Sequence, residues 1–285
     1  MAIPIINDWE KYFRIPHEGL GSSYERVILN NLLDKVVDRF DIKSAIETPS
    51  FGFTGISGIN LIHLADRGID ITLEDHDPDR LKLIQSLWQE LKQPLTAKLN
   101  LDYLHLEYAD KSFDLSFSFS ALWFVRDLKQ YLTDLSRISS KAIFISVPNQ
   151  SGIGYKGQLK GYTPELYPDL HIDHIDPASI IAILAKLGWH LSDSALFDCP
   201  LWPDIGMNKE DYLGKLPILG NVLKNSIDKN RQSSISKPVS ILDYYRGLDQ
   251  GFAAGMMRYS WLERRAPQCF KRVWAHHYYM LFRPR

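Results

Sequence analysis

The chain has little cysteine: Cys199 and Cys269 are its two thiols, and they form no Cys-x-x-Cys pair. That excludes a disulfide framework and a cysteine-built zinc site, and points to a reducing compartment. No apolar run approaches the roughly 20 residues needed to cross a bilayer. The first residues carry Asn7, Asp8, Glu10 and Lys11, without the basic start and apolar centre of a secretion signal, so a soluble, cytoplasmic protein is expected. A formal net charge of -1 removes any whole-protein case for nucleic-acid binding. Two nucleotide motifs are also missing. No Gly-x-Gly-x-x-Gly follows the first strand-like run, as a dinucleotide-binding unit requires, and no Gly-Lys-Ser/Thr marks a phosphate loop. There is no internal repeat.

What remains is an ordinary globular composition, 45% apolar and 24% charged, on 285 residues. The order of elements is regular. Tyr24, Val27, Ile28, Leu32, Leu33, Val36 and Val37 recur at helical spacing. A short strand follows near 44–48, then a turn-prone loop with Gly52, Gly55 and Gly58, then a helix from about Gly58 that Gly68 stops. Residues 69–74 alternate as a strand, and Asp77-Pro78 opens a helix with Asp77 as its cap and Pro78 at its first position. Further strands are expected near 97–101, 113–119, 142–147 and 189–197, with helices over 127–140 and from Asp176-Pro177. This alternation predicts an α/β fold with a mostly parallel sheet covered on both faces. Residues 150–170 read as a loop or lid, and 241–258 as helical. The last strand is expected within 273–282.

The residues at the ends of the strands carry the chemistry. In an open parallel sheet, ligands bind beyond the carboxyl ends of the strands, where the strand order reverses. Glu47 ends the first strand; Glu74, Asp75 and His76 end the second. A carboxylate there suits a ribose, because it accepts protons from both hydroxyls.

Three stretches resemble the class I S-adenosylmethionine-dependent methyltransferases: Glu47 to Gly58; Asp75-His76-Asp77-Pro78; and Leu106 to Leu115, with Ser112-Phe113-Asp114 leading into strand four. The similarity spans roughly residues 40–200. It implies a Rossmann-like, seven-stranded sheet with an antiparallel last strand. The expected organisation is an N-terminal helical arm (1–40), the core (41–200), a helical or loop cap (201–272) and a completing strand (273–285). It also implies S-adenosylmethionine as cofactor, with S-adenosylhomocysteine as product. By that resemblance the cofactor residues are Glu47, Gly52, Gly55, Gly58, Asp75 on the ribose, His76, Asp102 on the adenine amino group, Tyr103, Ser118 under the methionine part, and Tyr12 folding over from the arm. The family's usual first motif is an acid followed by Gly-x-Gly-x-Gly. Here Pro49, Phe51 and Phe53 stand in a longer loop.

Methyl transfer needs alignment more than a fixed catalytic residue. No Asn/Asp-Pro-Pro-Tyr/Phe follows strand four, and no Pro-Cys nucleophile is present, so a small-molecule acceptor is expected, with transfer to oxygen, nitrogen or carbon. His171, His174 and Tyr162 are general-base or pocket candidates, against the plainer reading of surface or packing residues. No metal site is expected, since His171-x-x-His174 lacks a convincing third ligand. Arg258, Arg264, Arg265, Lys271, Arg272, Arg283 and Arg285, against Glu263 alone between 256 and 285, suit an anionic substrate. Two other readings stay open. One is a methyltransferase-like binding or assembly protein without catalysis, suggested by the altered loop. The other is an RNA methyltransferase, which requires the basic residues to form one surface beside the crevice.

Overall fold

The computed structural model describes residues 9–15, 18–52, 55–163, 167–168, 170–202 and 240–285. Seven strands form one sheet in the order β3-β2-β1-β4-β5-β7-β6. They are β1 (Ser44–Glu47), β2 (Asp70–Asp75), β3 (Thr96–Leu99), β4 (Phe113–Phe119), β5 (Ser139–Pro148), β6 (Trp189–Phe197) and β7 (His277–Pro284). The first five pair in parallel, while β7 runs antiparallel between β5 and β6. The order reverses between β1 and β4, which places the switch point at Glu47.

Side chains alternate across each strand, so β5 feeds two cores. Ala142 and Phe144 face one layer, and Ile143, Ile145 and Val147 the other. On the first face Phe117, Phe144 and Tyr279 stack across β4, β5 and β7, with centroids 5.5 and 5.4 Å apart. After the short α1 (Lys11–Arg14), helices α2 (Gly19–Phe40), α3 (Ile62–Asp66) and α4 (Pro78–Glu90) cover that face. Helices α5 (Leu128–Ile138) and α7 (Pro177–Lys186), with α6 (Ile153–Leu159) between them in sequence, cover the other.

The α4 start is built as its sequence predicts: Asp77 accepts from the Asp79 and Arg80 amides, with Pro78 at the first position. Elsewhere the boundaries differ for physical reasons. The helix expected from Gly58 is confined to Ile62–Asp66, because residues 56–61 are buried in turns that follow the loop. A helix, Ile153–Leu159, lies inside the expected lid. The last strand starts at His277, since Gln268–Trp274 is helical. The 241–258 stretch is broken into Leu242–Tyr245 and Phe252–Met257, around Gly247 at φ 74°. Much of the expected cap, residues 203–239, lies outside the described residues.

Helix α2 buries polar as well as apolar residues, among them Ser22, Ser23, Glu25, Arg26 and Asn30. It is covered twice, by the sheet on one side and by Trp202, Ile241, Leu242 and Phe252 of the C-terminal region on the other. No helix among the described residues is long and apolar enough to cross a membrane.

Candidate active site

The acids that end β1 and β2 meet at the switch point, fully buried. Asp75 is bound on every side: Arg80 donates from Nε to Oδ2 (2.9 Å) and from a terminal nitrogen to Oδ1 (2.6 Å). The Ser50 hydroxyl donates to Oδ2 at 2.5 Å and the Asp77 amide to Oδ1 at 2.9 Å. Arg80 is also buried, with its guanidinium carbon 3.7 Å from the centre of the Phe51 ring. Phe51 packs on His76 and Phe124, with centroids 6.0 and 5.4 Å away. His76 in turn meets the Tyr103 hydroxyl through Nδ1 at 3.2 Å. Burial and the neighbouring Arg80 charge lower the His76 pKa, so its ring is neutral near pH 7.

The loop after β1 is held from both ends. Asn60 donates to Glu47 Oε1 at 2.6 Å and accepts from Arg26 at 2.9 Å; Arg26 in turn binds Glu18. Burial pushes the Glu47 carboxyl up to about 8. The Tyr131 hydroxyl donates to the Thr48 carbonyl, and the Ser50 amide to the Glu74 carbonyl at 3.0 Å. Thr48 also donates its hydroxyl to Glu74 Oε2, and burial raises the Glu74 pKa.

The glycines make close approaches, and each is to protein. A methyl group on Gly52 would fall on the Phe119 carbonyl at the end of β4, and one on Gly55 on the Glu18 carboxylate. Gly58 has φ +71° and sits against Ile84. Ser118 is buried in β4. Asp102 is half exposed, accepting from the Leu104 amide at 3.1 Å with Arg126 3.8 Å away. Tyr12 lies outside the crevice, lining a hollow with Phe13, Ile56 and Leu83.

His171 and His174 stack at 4.7 Å beside the turn that follows β4, where the His171 amide donates to the Trp123 carbonyl at 2.8 Å. Burial lowers the His174 pKa. Asp173 joins the two histidines, with one donor atom from each within 4.8 Å of the others. Tyr162 stacks on Tyr167 at 4.8 Å, against the core on the α5 side. A separate cavity of about 320 Å³ opens past β5 and β6, lined by Pro148, Asn149, Ser151, Leu196, Arg272 and Tyr278.

Residues 53–142 match the family model described as a methyltransferase domain. That match runs from the loop after β1 into β5 and so covers less than half of the chain. A similar fold occurs in a complex of the Haloferax volcanii Trm112 methyltransferase activator with a protein described as a methyltransferase. There the identity is 12%, covering 98% of this chain and 99% of that one, with a TM-score of 0.53. A protein described as a sarcosine dimethylglycine methyltransferase from Galdieria sulphuraria has 12% identity over 89% of this chain and 84% of its own, at 0.49. Haemonchus contortus phosphoethanolamine N-methyltransferase 2, in complex with S-adenosyl-L-methionine, has 12% identity over 89% of this chain and 52% of its own, at 0.48. No curated protein matches.

A methyltransferase domain implies a cofactor, and in this structure the chain's own side chains fill the crevice. Both Asp75 oxygens are already satisfied by protein donors, and neither faces an open ribose site. Phe51 and Tyr103 are buried in the crevice, and Gly52 lies against the end of β4. Phe51 and Arg80 are the residues that sequence reasoning missed. Their signal was an aromatic in the glycine-bearing loop, and an arginine five residues after Asp75.

Proposed function

We propose that the methyltransferase transfers a methyl group from S-adenosylmethionine to an O, N or C atom of a small anionic molecule. In this reading Phe51 gives up its place in the crevice to the cofactor. The observation that supports it is the set of acids Glu47, Asp75 and Asp102 gathered at the switch-point edge of a sheet ordered β3-β2-β1-β4-β5-β7-β6. The cavity beside Arg272 opens past the same edge and offers an anionic acceptor a cation and several polar groups. A closed loop reduces apparent cofactor affinity by the fraction of molecules that are open.

RNA is the weaker choice of acceptor. Arg283 and Arg285 lie at or just beyond the far end of β7, roughly 20 Å or more from His277 at about 3.4 Å per residue. That separates them from Arg272, which lines the cavity at the other end of β7.

Isothermal titration with S-adenosylmethionine and S-adenosylhomocysteine tests the reading on wild type, Phe51→Ala and Asp75→Asn. Binding is expected in wild type, tighter binding in Phe51→Ala, and loss in Asp75→Asn. Absence of heat from both wild type and Phe51→Ala would leave the chain a methyltransferase-like binding protein.

A further inference from the structure

A second group of buried polar side chains sits behind the end of β4, where Ser120 contacts both Gly52 and His277. Glu25 comes from α2, Asp198 directly follows β6, and His277 opens β7. Each is almost wholly buried, and one donor atom from each lies within 4.8 Å of the other two. Glu25 Oε1 and Oε2, Asp198 Oδ1 and His277 Nε2 have no hydrogen-bond partner among the described residues. Glu25 Oε1 and His277 Nε2 approach to 2.7 Å, yet they are not aligned as donor and acceptor. A spacing within 4.8 Å is one that a single ion could bridge.

The groups behind them are fully engaged. His277 Nδ1 meets the Ser120 hydroxyl at 2.9 Å, which leaves Nε2 to face Glu25 Oε1. Asp198 Oδ2 meets His276 Nδ1 at 2.6 Å, which leaves Oδ1. This is the outer support that metal-binding imidazoles and carboxylates use to fix their orientation. Asp198 and Ser120 hold φ of 57° and 48°, a left-handed conformation that non-glycine residues rarely adopt. Three carboxylate oxygens of Glu25 and Asp198 are buried without a hydrogen-bond donor, a cost that a bound cation would offset.

We propose that Glu25, Asp198 and His277 bind one divalent transition-metal ion, of the Zn²⁺ or Mn²⁺ class. Two oxygen donors and one imidazole nitrogen suit such borderline and hard ions. The ion ties the start of α2 to the β6–β7 edge of the sheet. This proposal stands independently of cofactor binding.

The test uses the full chain, stripped with chelator, dialysed, and titrated with Zn²⁺ or Mn²⁺. Bound metal is counted by inductively coupled plasma mass spectrometry, and Co²⁺ loading is followed by its visible absorption bands. One equivalent per chain is expected, with a raised Tm on loading. Glu25→Gln and Asp198→Asn, which preserve shape, should each abolish stoichiometric binding. His276→Phe should weaken it by roughly 10- to 100-fold, as loss of outer support does. The partly exposed His171 cluster is the competing site, so His174→Ala should leave the stoichiometry unchanged. Absence of stoichiometric metal in wild type overturns the proposal, as does metal retained in both carboxylate variants or lost in His174→Ala. If a carboxylate variant fails to fold, the wild-type count together with His174→Ala decides.

Discussion

The Arg80 guanidinium lies 3.7 Å from the centre of the Phe51 ring while two of its nitrogens hold the Asp75 carboxylate. One cation thus closes the crevice twice, by occupying the acid and by seating the aromatic ring over it. Both charged partners are buried, so the pair is sensitive to loss of either member.

Removing only the cation should therefore be costly. Arg80→Met is expected to lower stability by about 3–5 kcal/mol, because Asp75 is left charged and buried. Arg80→Met combined with Asp75→Leu should recover much of that loss. Urea denaturation of the two variants checks this, and equal stability would show that the pair is not coupled.

Phe51→Ala should move stability and ligand affinity in opposite directions. Truncating a buried phenylalanine costs about 3–5 kcal/mol. The same change empties the crevice, so S-adenosylhomocysteine should bind more tightly than to wild type. A parallel fall in both quantities would mean that Phe51 supports the cofactor site.

Gly52→Ala places a methyl group on the Phe119 carbonyl, backbone against backbone, with no flexible side chain to yield. The loop must move or the fold must weaken. The expected result is faster amide exchange across 48–58, with a stability loss of at least about 1–3 kcal/mol, as overpacking generally produces. Unchanged exchange protection would contradict the close approach.

Glu47 should impose a pH dependence of its own. Its folded-state pKa is raised by burial from 4.5 to about 8, so the folded protein holds a proton there that the unfolded chain releases. Its contribution is therefore fully present below pH 4.5 and is lost as pH rises toward 8. Relative to wild type, Glu47→Gln should gain about 1.4 kcal/mol per pH unit across that window. Denaturation curves at pH 5, 6, 7 and 8 measure the difference, and a constant offset would show that Glu47 is ionised when folded.

Much of the fold was legible because its signals are local. Strand alternation, helical spacing and the Asp77-Pro78 cap act over a few residues, and they place β1, β2, β4 and β6 within a residue or so of their observed bounds. The acids at the strand ends follow from the same reading, since strand order puts Glu47 and Asp75 on adjacent strands. Tertiary packing decided whether those acids are free. Arg80 is close to Asp75 in sequence, but its pairing depends on Ser50 and Phe51 arriving from another strand's loop. Glu25 and His277 meet only because α2 crosses the sheet where β7 inserts between β5 and β6. No periodicity near either residue marks that meeting, because burial of a polar group is a property of what folds over it. The order of elements and the chemistry at the strand ends were written locally; the closed crevice and the buried carboxylate–histidine cluster were set by long-range contacts.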